Sequence, residues 1–419
     1  MIASRQQSIT TVMALLLLLW YPLKAQHVQA MKDICYLSSP KMSGRGYVKN
    51  GHIKAARFIK EQFKLCGLTF VSDKWFQQFT FPVTTFPGKM QLSLGDKMLT
   101  PGEDYLVHPS SAGGKKTLPL AFADSTDLER LEKNSDTCFV ISQRVYDILR
   151  QSEDRLLYTK TKGAILITEP KKLTWSVGAQ PFGIPVFRML QSVFDSSAKN
   201  ISFSISQHFY PAFQTQNVLG MIRGSVQPDS FIVFTAHYDH LGMMGRKIIF
   251  PGANDNASGT AMLLALARHY SIPANKPKYS MLFIAFSAEE AGLLGSKYYT
   301  EHPLLPLASI HFLINLDLAG NGSEGITVVN ATEFKNQFNL LDSLNTAMHA
   351  LPSVHQRGKA RNSDHYYFSE KGVPAFFIYT MGGAPWYHDI HDKCNTLTLS
   401  HFDRFFNLIT SFAEALQYK

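Results

Sequence analysis

The strongest constraint on the fold is the alternation of short apolar strands with helices from residue 217 to the C-terminus. A helix is predicted over 258–270, directly after the turn residues Asn254, Asp255 and Asn256. Strands that alternate with helices form a sheet whose two faces are covered by helices. We therefore predict an α/β fold, a three-layer α/β/α arrangement with a central mixed, mainly parallel sheet. The predicted strands cover residues 230–236, 279–286, 310–316 and 373–379.

Earlier parts of the chain have a different character. Apolar residues at helical spacing predict a helix over 50–66, and residues 26–90 are predicted to join the main sheet domain formed by 212–419. Residues 91–211 alternate short strand-like runs with one polar helical stretch and contain no cluster of His, Asp and Glu. This middle segment is predicted to be an inserted, smaller α+β domain without chemistry of its own.

The N-terminus has the pattern of a secretory signal peptide, predicted over residues 1–25. Arg5 supplies a positive charge, residues 12–21 form an apolar run, and Ala25 is a small residue at the cleavage position. The run is about half of the ~20 residues that a helix needs to cross a bilayer. We therefore expect a secreted or periplasmic protein without a stable membrane span after cleavage.

Charge and cysteine content narrow the class of protein. The formal net charge is +9, but no run of Lys and Arg resembles a nucleic-acid-binding stripe, so no nucleic-acid partner is expected. The four cysteines are Cys35, Cys66, Cys138 and Cys394, and none has C-x-x-C spacing. Export would permit disulfides, of which four cysteines allow three pairings. Free buried thiols fit the sequence at least as well.

Metal-binding residue types recur at the ends of the predicted strands. Ligands of open α/β sheets bind outside the carboxyl ends of the strands, so these side chains are expected to converge. Converging carboxylates repel each other unless cations lie between them, and a mixed set of imidazoles and carboxylates suits zinc. Two metal ions share this set if Asp255, on a tight turn, bridges them. The predicted ligands are His237, Asp255, Glu290, Asp317 and His388.

Two further acidic residues are predicted to support catalysis. Asp239 lies two residues after His237, and on extended backbone it can accept the second ring proton of that histidine. Asp392 is predicted to act similarly near His388. Adjacent glutamates cannot point the same way, so Glu290 is predicted to bind metal and Glu289 to act as general base. His240, Asp364 and His365 receive no ligand role.

Taken together, these segments resemble the co-catalytic dizinc aminopeptidases, metallopeptidase family 28, in an exported bacterial-type form. The matching segments are A-H-Y-D-H-L-G at 236–242, G-A-N-D-N-A-S-G at 252–259, F-S-A-E-E-A-G at 286–292, N-L-D at 315–317, S-D-H at 363–365 and Y-H at 387–388. The resemblance departs after His388, where H-D-I replaces the frequent H-T-P. The segment 91–211 is weakly similar to the protease-associated insert.

The resemblance implies a zinc-dependent exopeptidase that releases N-terminal residues from peptides and holds two Zn²⁺ ions. It implies that His237, Asp255 and Asp317 bind one zinc, and that Asp255, Glu290 and His388 bind the other. A metal-bridging water would be the nucleophile, with Glu289 as its general base. Residues 26–90 and 212–419 would then form the catalytic domain.

Several alternatives stay open at the level of sequence. A glutaminyl cyclase with one zinc occurs on a related fold, and a receptor or scaffold can keep the fold without catalysis. Dipeptidase or carboxypeptidase action also occurs on similar folds. The sequence contains neither G-x-S-x-G nor H-E-x-x-H, so a serine hydrolase and a helical zinc motif have no support.

Overall fold

The computed structural model describes residues 27–124, 136–151, 162–383 and 385–418. The predicted signal peptide, residues 1–25, lies outside this part of the chain. Among the described residues, none of the helices combines the length and the apolar character that crossing a bilayer requires.

The described residues form eighteen strands and eight α-helices. The strands are β1 (Phe76–Thr85), β2 (Met90–Leu94), β3 (Lys97–Met98), β4 (Tyr105–Val107), β5 (Gly114–Phe122), β6 (Cys138–Ser142), β7 (Ala164–Glu169), β8 (Val186–Leu190), β9 (Asn200–Ile205), β10 (His208–Ile222), β11 (Gln227–His237), β12 (Gly242–Met244), β13 (Ile248–Phe250), β14 (Tyr279–Phe286), β15 (Ile310–Asp317), β16 (Ile326–Val329), β17 (Val354–Gln356) and β18 (Ala375–Thr380). The helices are α1 (27–37), α2 (Gly51–Leu65), α3 (Gln143–Gln151), α4 (Gly259–Ser271), α5 (Leu294–Glu301), α6 (Lys335–Met348), α7 (His365–Glu370) and α8 (Phe402–Ala415).

The central sheet has the order β1-β10-β14-β11-β15-β18-β16-β17. Its middle strands β14, β11, β15 and β18 are parallel, whereas β1 and β10 run antiparallel to their neighbours. Strand β16 is antiparallel to β18 and parallel to β17. Every residue of β14 is buried, as expected for a strand covered on both faces. The predicted mixed, mainly parallel sheet is confirmed.

Helices cover both faces of this sheet. Alternate residues of β11 point to opposite sides: Ile232 and Phe234 pack in a core with α1, α2, α4, α6 and α8, while Phe231 and Val233 pack with α5 and α7. Helix α4 is buried around almost its whole circumference because it lies between the sheet and other helices. The resulting architecture is the predicted three-layer α/β/α fold.

A second sheet, with the order β3-β2-β9-β5-β6-β7-β8-β4, is built entirely from residues 90–205. We call this segment the inserted domain. Helix α3 packs on it through Val145 and Leu149. The segment was predicted to end at residue 211, but β10 starts at His208 and pairs with β1 and β14. Residues 208–211 therefore lie in the central sheet.

A disulfide between Cys35 and Cys394 joins α1 to the segment that precedes α8, while Cys66 and Cys138 are free. The sequence left the pairing open. Because the two bonded cysteines are 359 residues apart, the bond closes most of the described chain into a loop. Closing a long loop restricts the unfolded chain strongly and so stabilises the folded state.

We expect the double variant Cys35→Ser with Cys394→Ser to lose about 2–4 kcal/mol of unfolding free energy. Urea unfolding monitored by circular dichroism under non-reducing conditions measures this loss. Cys66→Ser, at a free and partly exposed thiol, is the matched control and should keep the wild-type midpoint. Equal midpoints for the double variant and the wild type would contradict the stabilising role.

Candidate metal centre

The predicted ligands meet at the carboxyl edge of the central sheet. His237 ends β11, Asp317 ends β15, and Glu290 follows β14. Asp255 lies in the helical turn Ala253–Ser258 that leads into α4, and His388 lies in the loop between β18 and α8. The structure therefore brings together all five side chains that the sequence singled out.

Four of these side chains, all except that of Glu290, border a cavity of about 240 Å³. Its lining comprises His237, Asp255, Glu289, Asp317, Leu318, Asn362, Phe377, Tyr379, Tyr387 and His388. One wall is acidic and the other is aromatic and apolar. None of these lining residues is Lys or Arg.

Asp255 stands between two groups of ligand atoms. Its Oδ1 lies 3.4 Å from Nε2 of His237, which is itself 3.2 Å from Oδ2 of Asp317. Its Oδ2 lies 3.2 Å from Nε2 of His388, which is 3.1 Å from Oε2 of Glu290. The two oxygens of one carboxylate thus face two imidazoles, and the arrangement has the form of two half-sites that share Asp255.

The separations fit a tetrahedral metal ion. Zinc bonds of 2.0–2.2 Å to nitrogen and oxygen in a tetrahedron place the ligand atoms about 3.3 Å apart. Both ring orientations also fit. Nδ1 of His237 lies 3.2 Å from the Asp239 carbonyl oxygen, and Nδ1 of His388 lies 2.9 Å from that of Trp175. A carbonyl only accepts, so each Nδ1 carries the proton and each Nε2 faces the carboxylates.

The electrostatics show that this cluster requires positive charge. Burial lowers the pKa of His388, but the carboxylates of Glu290 and Asp255 outweigh burial and raise that pKa to about 11. Burial likewise opposes charge on His237, yet Asp317 and Glu289 raise its pKa well above the ordinary value. Either a proton or a metal ion on Nε2 meets this requirement, and the nitrogen and oxygen donors suit zinc.

The two adjacent glutamates have opposite environments. Burial raises the pKa of Glu289 well above its usual range, and the negative charge of Glu290 adds to the effect. Burial would also raise the pKa of Glu290, but His388 and His240 hold it well below the usual range. Ala288, just before the pair, has a left-handed φ of 59°, which non-glycine residues adopt at a cost of about 1–3 kcal/mol. This turn aims the two side chains differently, as the sequence suggested.

Asp239 makes contacts other than those predicted. Its carboxylate lies 3.9 Å from Nδ1 of His237, so it does not accept the ring proton, which goes to its own backbone carbonyl instead. The carboxylate accepts hydrogen bonds from the Tyr47 hydroxyl at 2.6 Å and from the backbone N–H groups of Glu289 and Glu290. Asp239 therefore fixes the backbone of the glutamate pair, and the predicted ring contact is corrected.

Asp392 also differs from its prediction. It was expected to orient His388, but its carboxylate accepts hydrogen bonds from the backbone N–H groups of Asn254 and Asp255. The carbonyl that orients His388 belongs to Trp175 in the inserted domain. Sequence spacing misassigned this contact because Asp392, four residues after His388, binds the backbone of a different loop.

His240 is buried beside the predicted ligands, although the sequence gave it no ligand role. Its Nδ1 is 2.7 Å from Oε1 of Glu290 and 4.0 Å from Oδ1 of Asp255. Glu290 therefore lies between His240 and His388, one imidazole at each carboxylate oxygen. Asp364 and His365 are fully buried, and neither belongs to a group of converging metal-ligand atoms within the described residues.

Arg45 is one of the residues near this site that sequence reasoning missed. It is completely buried and donates hydrogen bonds to five backbone carbonyls. The acceptors are Leu37 at 3.0 Å, Tyr238 at 2.8 Å, Pro251 at 2.7 Å, Gly252 at 2.7 Å and Asp255 at 3.2 Å. Burial lowers the pKa of Arg45 to about 10, against the opposing effect of the surrounding carboxylates. The guanidinium thus remains a cation and joins two segments that hold predicted ligands.

The segment that carries Arg45 packs closely against the backbone at Gly242. Gly44 has a φ of 64°, and a Cβ there would lie 2.3 Å from the carbonyl oxygen of Gly242. Only glycine permits this close approach. A sequence signal existed in the glycines on both sides of Arg45, in the run S-G-R-G-Y at 43–47. Four of the five carbonyls that Arg45 binds are 193–210 positions away in the chain, so the signal alone could not identify them.

Comparison of the sequence with known families and proteins agrees with the geometry. The model of peptidase family M28 matches residues 217–413. A curated relative, "Aminopeptidase YwaD" of Bacillus subtilis, is 29% identical over 254 residues, which cover 57% of this chain. The match spans 53% of that relative, so about half of its length has a counterpart here.

Solved structures share the fold over nearly the whole chain. "BSAP, a zinc aminopeptidase from Bacillus subtilis" superposes with a TM-score of 0.70 and 22% identity, over 92% of this chain and 94% of that one. An aminopeptidase from Aneurinibacillus sp. strain AM-1 gives a TM-score of 0.67 at 21% identity, over 92% of each chain. At these identities the likeness establishes the fold.

We expect Arg45→Met to lower the unfolding free energy of the metal-free protein by at least about 3 kcal/mol, because buried carbonyls lose a charged donor. Urea unfolding measures the change. Arg57→Met, on the exposed side of α2, is the control and should stay within about 0.5 kcal/mol of the wild type. A loss at Arg45 no larger than this control would contradict the role of the five hydrogen bonds.

Proposed function

Residues 217–413 match the model of peptidase family M28, and on this premise we propose that the chain is a zinc-dependent exopeptidase that removes N-terminal amino acids from peptides. One observation carries the proposal. Two imidazoles and three carboxylates converge beside one cavity, which all of them except Glu290 line together with Glu289. A receptor that only kept the fold would have no need of this costly cluster of buried charges.

The proposed centre holds two zinc ions. His237, Asp255 and Asp317 form one half-site, and Asp255, Glu290 and His388 form the other. The support is that each oxygen of Asp255 faces a different histidine, at 3.4 and 3.2 Å. When bound, the metal pair would lower the pKa of a water and polarise the carbonyl of the scissile bond.

Side chains of the protein transfer the proton and position the general base. The Glu289 carboxylate takes one proton from the attacking water and delivers it to the amine nitrogen that leaves when the C–N bond breaks. Burial raises the pKa of Glu289 well above its usual range, so this carboxylate accepts a proton more readily than an exposed one. Asp239 is proposed as a positioning residue, because it binds the backbone N–H groups of Glu289 and Glu290.

The cavity favours the N-terminal end of a peptide. A C-terminal carboxylate is usually bound by Arg or Lys, and the described lining contains neither. The volume of about 240 Å³ is below the roughly 300–1,000 Å³ of pockets that hold drug-sized ligands. Leu318, Phe377 and Tyr379 line one side. These walls support a single terminal residue with an apolar side chain as the part of the substrate that enters.

We also propose that the protein is secreted or periplasmic. The signal-peptide pattern over residues 1–25 supports export. The disulfide between Cys35 and Cys394 provides an independent argument, since such bonds persist in oxidising compartments.

The decisive experiment combines metal analysis with a comparison of free and blocked peptides. We expect two zinc ions per chain, cleavage of peptides with a free N-terminus and an apolar first residue, and no cleavage of N-acetylated copies. Chelation should abolish the activity and zinc should restore it. Cyclisation of an N-terminal glutamine peptide with one bound zinc would instead identify a glutaminyl cyclase, and cleavage from the C-terminus would contradict the assigned polarity.

Replacement of the general base separates catalysis from metal binding. In Glu289→Gln we expect both zinc ions to stay and kcat to fall by about 10²–10⁴, the usual contribution of a positioned general base. Glu103→Gln, at an exposed glutamate of the inserted domain, is the control and should keep full activity. Normal turnover by Glu289→Gln would show that another group moves the proton.

A further inference from the structure

The inserted domain contacts the loop that carries His388. Nδ1 of His388 donates to the Trp175 carbonyl at 2.9 Å, and the Trp175 backbone N–H donates to the His388 carbonyl at 3.2 Å. This reciprocal pair fixes both the ring and the backbone of the residue. The inserted domain, which was predicted to have no chemistry of its own, therefore contacts a predicted metal ligand directly.

Lys172 of the inserted domain also binds the loop that carries His388, at residues other than His388 itself. Its Nζ donates to the carbonyls of Pro385 at 2.5 Å and Tyr387 at 3.0 Å, and lies 3.7 Å from a carboxylate oxygen of Asp389. Three acceptors of one short loop therefore share a single cation. Lys172 is partly exposed, with 35% of its side chain accessible, so its removal leaves no buried cavity.

The segment 172–175 is itself held firmly within its domain. The Trp175 indole donates to the Val107 carbonyl at 2.8 Å, and its ring stacks on Phe250 with centroids 4.7 Å apart. Arg188 donates to the Thr174 carbonyl at 3.0 Å and forms an ion pair with Glu169. The Trp175 carbonyl is thus a fixed acceptor, and Phe250, which ends β13, lies just before the turn that holds Asp255.

His388 is the predicted ligand that depends most on such support. His237 and Asp317 end strands of the central sheet, and their positions follow from the strand ladders. His388 lies eight residues beyond the end of β18 and has a left-handed φ of 55°. A side chain on such a loop needs an external partner to keep its ring aimed at the carboxylates.

We propose that the segment 172–175 of the inserted domain positions His388 in the second metal half-site, with the Trp175 carbonyl fixing the ring and Lys172 fixing the loop. This inference rests on the proposed dizinc function. It makes the inserted domain a structural part of one half-site, while the half-site of His237 and Asp317 is independent of it.

The first test is Lys172→Ala, with Lys171→Ala, an exposed neighbour, as the matched control. The readouts are the rate of zinc transfer to a chromophoric chelator, the absorption of the cobalt-substituted protein, and the thermal midpoint of the metal-free protein. Changes in the partners of metal ligands typically alter metal affinity or activity 10–100-fold. We expect about tenfold faster loss of one of the two zinc ions. The second zinc and the metal-free midpoint should match the control.

The second variant, Trp175→Phe, keeps an aromatic ring against Phe250 but removes the indole N–H that holds Trp175 to Val107. It should show the same selective loss of one metal, and kcat should fall while KM changes less. Identical zinc release by both variants and the control would overturn this proposal alone. Loss of both metals together in either variant, or a lowered metal-free midpoint of Lys172→Ala, would also overturn it, since the segment would then stabilise the fold generally. A wild-type protein that binds no zinc would overturn the proposed function as well.

Discussion

The structure depends on a concentration of negative charge at one buried edge of the central sheet. Asp255, Glu290, Asp317 and Glu289 approach each other where little water screens them. Repulsion from the other carboxylates raises the pKa of Glu289 beyond the effect of burial. Attraction to the same carboxylates raises the pKa values of His237 and His388, although burial alone would lower them. Cations between the carboxylates remove this repulsion. The surrounding loops hold these acidic groups so close together that the site requires cations between them.

Support for the site comes largely from outside residues 217–413, the part that matches the family. Arg45 and Tyr47 arrive from the N-terminal segment and bind the backbone or carboxylate of ligand-bearing loops. Trp175 and Lys172 arrive from the inserted domain. The disulfide of Cys35 with Cys394 anchors the segment that follows His388. The predicted ligands thus belong to the sheet domain, whereas their supporting contacts also come from the N-terminal segment and the inserted domain.

The sequence predicted correctly those strands and helices whose residue patterns depend on local structure. The strands β11, β14, β15 and β18 were predicted because buried parallel strands need continuous apolar runs, and the helix α2 because its apolar residues recur at helical spacing. It was wrong about the ring contacts of Asp239 and Asp392. In both cases a carboxylate within four residues was assigned to the histidine, whereas backbone carbonyls of Asp239 and Trp175 accept the ring proton.

The sequence by itself determined the sheet, its helical layers and the residue types that meet at the predicted metal centre, because residue type and spacing suffice to place side chains at strand ends. Only the tertiary structure decided how those side chains are oriented. The Arg45 hydrogen bonds, the Trp175 carbonyl and the pairing of Cys35 with Cys394 join positions as many as 359 residues apart. Backbone carbonyls are present at every residue and leave no mark in the sequence, so which of them accepts a given proton is fixed only when the chain has folded.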